Sequence, residues 1–118
     1  MIEFEEYKGK LNGLKPTLDA LRDALHLEAA EKEIEELEGQ SARDGFWNDV
    51  ENSQRVQKRL KQLKTKVENY EKLCSGWDDL MTLCEMAIEE DDDSMLPELQ
   101  SEYAEFEKKL EETRLGTL

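Results

Sequence analysis

Hydrophobic residues recur at alternating intervals of three and four along most of the chain, the signature of helices packed lengthwise on other helices. Phe4, Tyr7, Leu11, Leu14, Leu18, Leu21 and Leu25 form one stripe, and Leu27, Ala30, Ile34 and Leu37 form a second in a different phase. The phase jump puts a break near His26. Gly9, Gly13 and Pro16 lower the helix propensity of the first stripe, so its helix is expected to bend or to begin late. Periodicity stops between Gly39 and Asn48, where small and polar residues read as a loop. It resumes as Val56, Leu60, Leu63, Val67, Tyr70, Cys74, Trp77, Met81, Cys84 and Ile88, ten seam positions in one phase. Asn48 and Glu51 have the spacing of a capping box at the start of that helix. The acidic run Glu89 to Asp93 ends it, Ser94 is placed to cap a fourth helix, and Pro97 falls in the first turn, where a missing N–H costs little. The last stripe is Leu96, Leu99, Tyr103, Phe106 and Leu110.

These patterns predict an all-α fold, an antiparallel helical bundle with coiled-coil-like packing around one long central helix. Helices are expected at about 2–25, 27–38, 48–90 and 94–114 within a single domain spanning 1–118. Short connections make neighbouring helices antiparallel, so the second helix should lie along the first half of the third and the fourth along its second half.

Composition narrows the function. Charged residues are 39% of the 118-residue chain and apolar ones 37%, a mix suited to long helices and too apolar for disorder. Thirty acids against sixteen bases give a formal charge of −14. Phosphate contacts need a basic field, so non-specific nucleic-acid binding over the whole surface is excluded, and free nucleic acid is not an expected partner. Any such contact must be local. The chain has one histidine and no glycine-rich phosphate loop, so no catalytic, cofactor-binding or metal site is expected. His26 reads as a helix-junction residue. The two cysteines, Cys74 and Cys84, lie on a seam like small buried hydrophobes, which fits a reducing compartment. The run Glu89 to Asp93 lacks the glycine and closing glutamate of a calcium loop. There is no signal-peptide pattern and no apolar stretch of membrane length, so a cytoplasmic location is expected.

Two features suit a partner. Phe46 and Trp47 sit together just before the third helix and are expected to plug the end of the bundle, with a partner-binding role for Trp47 as the alternative. Beyond them Arg55, Lys58, Arg59, Lys61, Lys64 and Lys66 make the first half of the third helix basic, opposite the acidic second helix with Glu28, Glu31, Glu33, Glu35, Glu36 and Glu38. The candidate contact residues are therefore Phe46, Trp47, Arg55, Lys58 and Arg59.

Four segments also carry a resemblance. They are Glu3-Phe4-Glu5-Glu6, the block Phe46-Trp47-Asn48-Asp49 with Ser53-Gln54-Arg55-Val56, the run from Lys64 to Leu73, and the acidic turn Glu89 to Ser94. Through them the whole chain resembles the N-terminal region of the bacterial peptide chain release factor 2 family, class I factors that read UGA and UAA. Where that family usually has Pro before the Asp of the aromatic block, this chain has Arg43-Asp44-Gly45. The resemblance implies a translation-termination role as a helical module that docks on the ribosome near the stalk base of the large subunit. It also implies that the helical domain ends near Arg114 to Leu118. The family's Gly-Gly-Gln hydrolysis loop and Ser-Pro-Phe codon-reading tripeptide do not occur in this sequence, so the chain is not expected to be an enzyme. The competing reading is a stand-alone coiled-coil scaffold or adaptor that dimerises through its seams. The three reversals near His26, Gly39 to Asn48 and Asp91 to Ser94 favour an intramolecular bundle and a monomer.

Overall fold

A computed structural model describes residues 1–116. The described chain is α1 (Ile2–Ala24), α2 (Leu27–Ser41), a 3-10 turn (Phe46–Asn48), α3 (Val50–Glu90) and α4 (Leu96–Arg114), with no strand among these residues. The fold is the expected all-α bundle built on one long helix, α3. The residues Thr117 and Leu118, where the resemblance puts the end of the helical domain, lie outside the described part.

Several boundaries differ from the sequence reading, each for a local reason. The first helix does not begin late but runs without interruption from Ile2 through Pro16 to Ala24. Proline leaves the carbonyl of Asn12 without its usual donor. In the same turn the indole N–H of Trp77 donates to the carbonyl of Leu11 at 2.6 Å, so the loosened turn is held from outside. Helix α2 continues to Ser41 rather than stopping at Glu38. Gly39 is tolerated within it, and the Ser41 hydroxyl donates to the Leu37 carbonyl at 2.9 Å. The third helix begins at Val50 rather than Asn48, because Phe46–Asn48 is a separate 3-10 turn. Its cap is Asp49, whose Oδ1 accepts from the Asn52 N–H at 3.1 Å, and the anticipated Asn48 and Glu51 box does not form. Nor does Ser94 cap α4: the N-cap position is Met95, and the Ser94 N–H donates instead to Asp92 Oδ1 at 2.9 Å.

Two helix ends close with left-handed residues that are not glycine, His26 (φ 57°) and Asp91 (φ 51°). After α3 the Asp91 N–H reaches the Ile88 carbonyl at 3.2 Å and the Asp92 N–H reaches the Ala87 carbonyl at 3.0 Å. This paired pattern satisfies the last turn of a helix and turns the chain sharply. Gly45 (φ 80°) does the equivalent work before the 3-10 turn, a backbone state that strains other residues.

The chain divides into two compact units. The first comprises Met1–Leu21 and the chain from Lys72 onward, that is, most of α1, the second part of α3, and α4. Its buried side chains include Phe4, Leu11, Leu18, Leu73, Leu80, Cys84, Ala87, Leu99 and Phe106. Leu73, Leu80 and Ala87 lie outside the single seam read from the sequence. They form a second row, seven residues apart, beside the row of Met81, and they are buried because both α1 and α4 pack here. Tyr7 of α1 meets Tyr103 of α4 edge to face at 5.1 Å, and a side chain at Gly76 of α3 would touch Phe106 at 3.4 Å.

The second unit is Arg22–Glu71, with α2 against the first part of α3. Phe46, Val56 and Leu60 form a buried cluster on which Ile34 and Leu37 pack. Leu63 and Tyr70 continue the same face, while Val67 is only half-buried.

Candidate partner-binding site

All five candidate contact residues fall in the second unit. The 3-10 turn sends its two aromatics in different directions. Phe46 is 8% exposed within the cluster of Val56 and Leu60, whereas Trp47 is 60% exposed. The expectation that both plug the end of the bundle is therefore corrected for Trp47. Adjacent residues of a tight turn cannot both face a core that lies on one side. Trp47 is nonetheless not loose: its ring stands on that of Phe46, edge to face, with centroids 5.0 Å apart and planes at 85°. The turn anchors one ring in the core and uses it as a seat for the other. Val50, at the first position of α3, is 61% exposed, so two large apolar side chains meet solvent within four residues.

The basic residues of α3 sort into two groups. Arg59 forms a two-pronged pair with Glu33 of α2, its Nε donating at 2.7 Å and its Nη2 at 2.9 Å. This hydrogen bonding holds the Glu33 carboxyl below its ordinary pKa and raises that of the guanidinium. Lys64 pairs with Glu38 at 3.1 Å. These contacts tie α2 to α3 and realise the charge matching read from the sequence. Arg59 is accordingly occupied within the unit. Arg55 turns its guanidinium to the Asn52 side-chain oxygen at 2.5 Å and meets no carboxylate. Lys58, Lys61 and Lys66 form no ion pair among the described residues. An open groove of about 630 Å³ runs between α2 and α3, lined among others by Glu38, Ser41, Gln57, Lys61, Lys64 and Glu68. Its lysines and glutamates nearly balance, so it offers no net charge to a ligand.

The remaining chemistry is structural. Cys84 is fully buried, and burial raises its thiol pKa, which disfavours a reactive thiolate. Among the described residues no group of His, Cys, Asp and Glu is placed to hold a metal ion, and no helix is long and apolar enough to cross a membrane. The sequence reading missed the division between Phe46 and Trp47. Periodicity gives no sign of it, because the parting of the two rings is set by the 3-10 turn after Gly45.

Comparison with known proteins gives this geometry a family context. Residues 30–118 match the model of the PCRF domain. The chain is similar to peptide chain release factor 2 of Acidothermus cellulolyticus, 36% identical over 108 residues covering 92% of this chain and 29% of that protein. It is 30% identical over 118 residues to peptide chain release factor 2 of Petrotoga mobilis, all of this chain and 31% of the relative. The factor of the same name from Clostridium perfringens strain SM101 is 31% identical over 118 residues, again all of this chain and 32% of the relative. The chain thus spans a little under a third of the length of the curated relatives it matches.

Proposed function

Because the chain belongs to the PCRF domain family and is similar along its length to proteins named peptide chain release factor 2, we propose that it serves translation termination at UGA and UAA codons as a docking module. In this reading residues 1–118 are the N-terminal helical domain of a longer factor, acting in the cytoplasm on the ribosome. The module holds the factor near the stalk base of the large subunit and functions as a monomer. Codon reading and hydrolysis of the peptidyl-tRNA ester belong to other parts of the factor, and this chain acts through position alone. Positioning of that kind contributes to rate only when the positioned groups are present.

The observation that carries the docking role is the seated, exposed Trp47. A large aromatic held rigid at a surface loses little freedom when a partner covers it, and such residues dominate binding energy where they are buried by a partner. The test is Trp47→Ala in a complete factor carrying this chain. Unfolding of the isolated chain should shift by no more than about 0.5 kcal/mol, as for other exposed positions. Association with stop-codon ribosomal complexes should slow, while release at saturating factor is unchanged. Association at the wild-type rate would remove Trp47 from the interface. Hydrolysis of formyl-methionyl-tRNA above background by the chain alone would overturn the non-catalytic reading.

A further inference from the structure

Twenty apolar side chains are buried among the described residues, and only seven of them belong to the second unit. Helix α2 supplies just Leu27 and Ala30 to that core, with Ile34 and Leu37 half-buried. Its own sequence gives it little support. The helix has 15 residues, a length at which an isolated helix is marginal, and they include six glutamates and one lysine. Glu31 and Glu35 stand four apart and Glu35 and Glu38 three apart, spacings at which like charges destabilise a helix. The last turn contains Glu38 and no base, against the helix dipole. Before the helix, His26 is left-handed and provides no side-chain cap. Gly39 weakens the last turn although a Cβ there would meet nothing within 4 Å, so packing does not call for a glycine. The cations that hold α2 are Arg22 on Glu31, Arg59 on Glu33 and Lys64 on Glu38. All three pairs are open to solvent, and such pairs hold weakly.

We infer that α2 is a releasable element: residues 27–48 leave α3 and lose their helix in one step while the first unit stays folded, and this step switches the seat of Trp47 on and off. The switch rests on the docking role above; the release of α2 does not. The first unit survives the step because it has three helices around a core of its own. Phe46 links α2 to the docking site. It is buried in the cluster on which Ile34 and Leu37 of α2 pack. Its N–H donates to the Arg43 carbonyl at 3.3 Å, and the Arg43 N–H donates to the Gln40 carbonyl at 3.1 Å, so the turn continues from the end of α2. When α2 leaves, Phe46 loses its apolar cover, and Trp47 loses the ring on which it stands. A partner that takes the seated Trp47 binds only the docked fraction, and its apparent affinity falls with that fraction. By the same linkage, a bound partner holds α2 on α3.

The test is native-state hydrogen exchange of the chain, read peptide by peptide by mass spectrometry. After correction for intrinsic rates, α2 amides should exchange at least about 10-fold faster than those of α4. Gly39→Ala should slow exchange in α2 by about 2- to 5-fold and leave α4 unchanged. Glu35→Pro, at an exposed position inside α2, should speed exchange in α2 by about 100-fold and leave α4 protected. Equal protection of the two helices, or a variant that moves α4 by the same factor as α2, means one cooperative unit and overturns the proposal. In a complete factor, Glu35→Pro should slow association with stop-codon ribosomal complexes as much as Trp47→Ala does. If Trp47→Ala slows association and Glu35→Pro does not, the docking role stands and the switch is overturned. If neither slows association, the docking role of Trp47 fails and takes the switch with it, while the exchange pattern still decides whether α2 is released alone.

Discussion

The two units use one helix in opposite ways. In the first, α3 is packed by α1 and α4 and buries two adjacent rows, so Leu73, Leu80 and Ala87 join Met81 and Cys84 in the core. In the second it is packed by α2, buries the narrower row of Val56, Leu60 and Leu63, and keeps its opposite side in solvent. Charge follows the same division. Two cations of the first unit, both on α1, lie over aromatic rings, Lys15 4.8 Å from the Trp77 ring centroid and Lys10 4.9 Å from that of Tyr7, while Lys109 and Arg114 pair with acids of their own helix. Those of the second unit pair with α2 or face solvent. A helix packed on two sides has its surface committed to folding, and one packed on a single side keeps a face for another molecule.

Three measurements press on that contrast. The largest effect concerns the doubly packed row. Leu80→Ala should cost about 3–5 kcal/mol by equilibrium denaturation, against about 2–3 kcal/mol for Leu63→Ala, because a cavity enclosed by more neighbours collapses less completely. Equal costs would erase the distinction between the units. A smaller effect belongs to the Pro16 turn. Trp77→Phe keeps an aromatic ring but removes the donor to Leu11, and should destabilise by about 1 kcal/mol. In a Pro16→Ala background the same change should cost less, since alanine restores the bond to Asn12 and the turn no longer depends on outside support. The smallest effect is the pH dependence of the Glu33 and Arg59 pair. The folded-state pKa of Glu33 is depressed by hydrogen bonding to Arg59, so the stability it adds is present above the unfolded carboxylate pKa and is lost as pH falls through the folded value. Both groups are exposed and screened. The Tm difference between wild type and Glu33→Gln should be small at neutral pH and should vanish in acid.

Much of this fold was legible from spacing alone, because a helix packed lengthwise repeats its apolar positions regardless of what lies beyond it. The spacing could not show how many helices would pack on each part of α3. Leu73 and Leu80 therefore fall outside the single seam, although both are apolar and in register with each other. Boundaries failed where side chains compete for backbone donors: Asp49 takes the cap that Asn48 was expected to supply, and Asp92 engages the Ser94 N–H. At the candidate site the charge matching of Arg59 and Lys64 with α2 followed from composition and antiparallel packing. The opposite fates of Phe46 and Trp47 depend on the 3-10 turn after Gly45, a local geometry that periodicity does not encode.

The positions of the two tryptophans give the molecule a built-in optical readout. The chain has 2 Trp, and each unit holds one. Trp47 stands in solvent on its phenylalanine seat, while Trp77 is half-buried with its indole N–H bonded to a backbone carbonyl. Their fluorescence is consequently separable, red-shifted and open to a neutral collisional quencher for Trp47, bluer and shielded for Trp77. Trp47→Phe leaves an emission that follows the first unit, and Trp77→Phe one that follows the second. Unfolding of the two parts can thus be tracked independently in one chain without an added label.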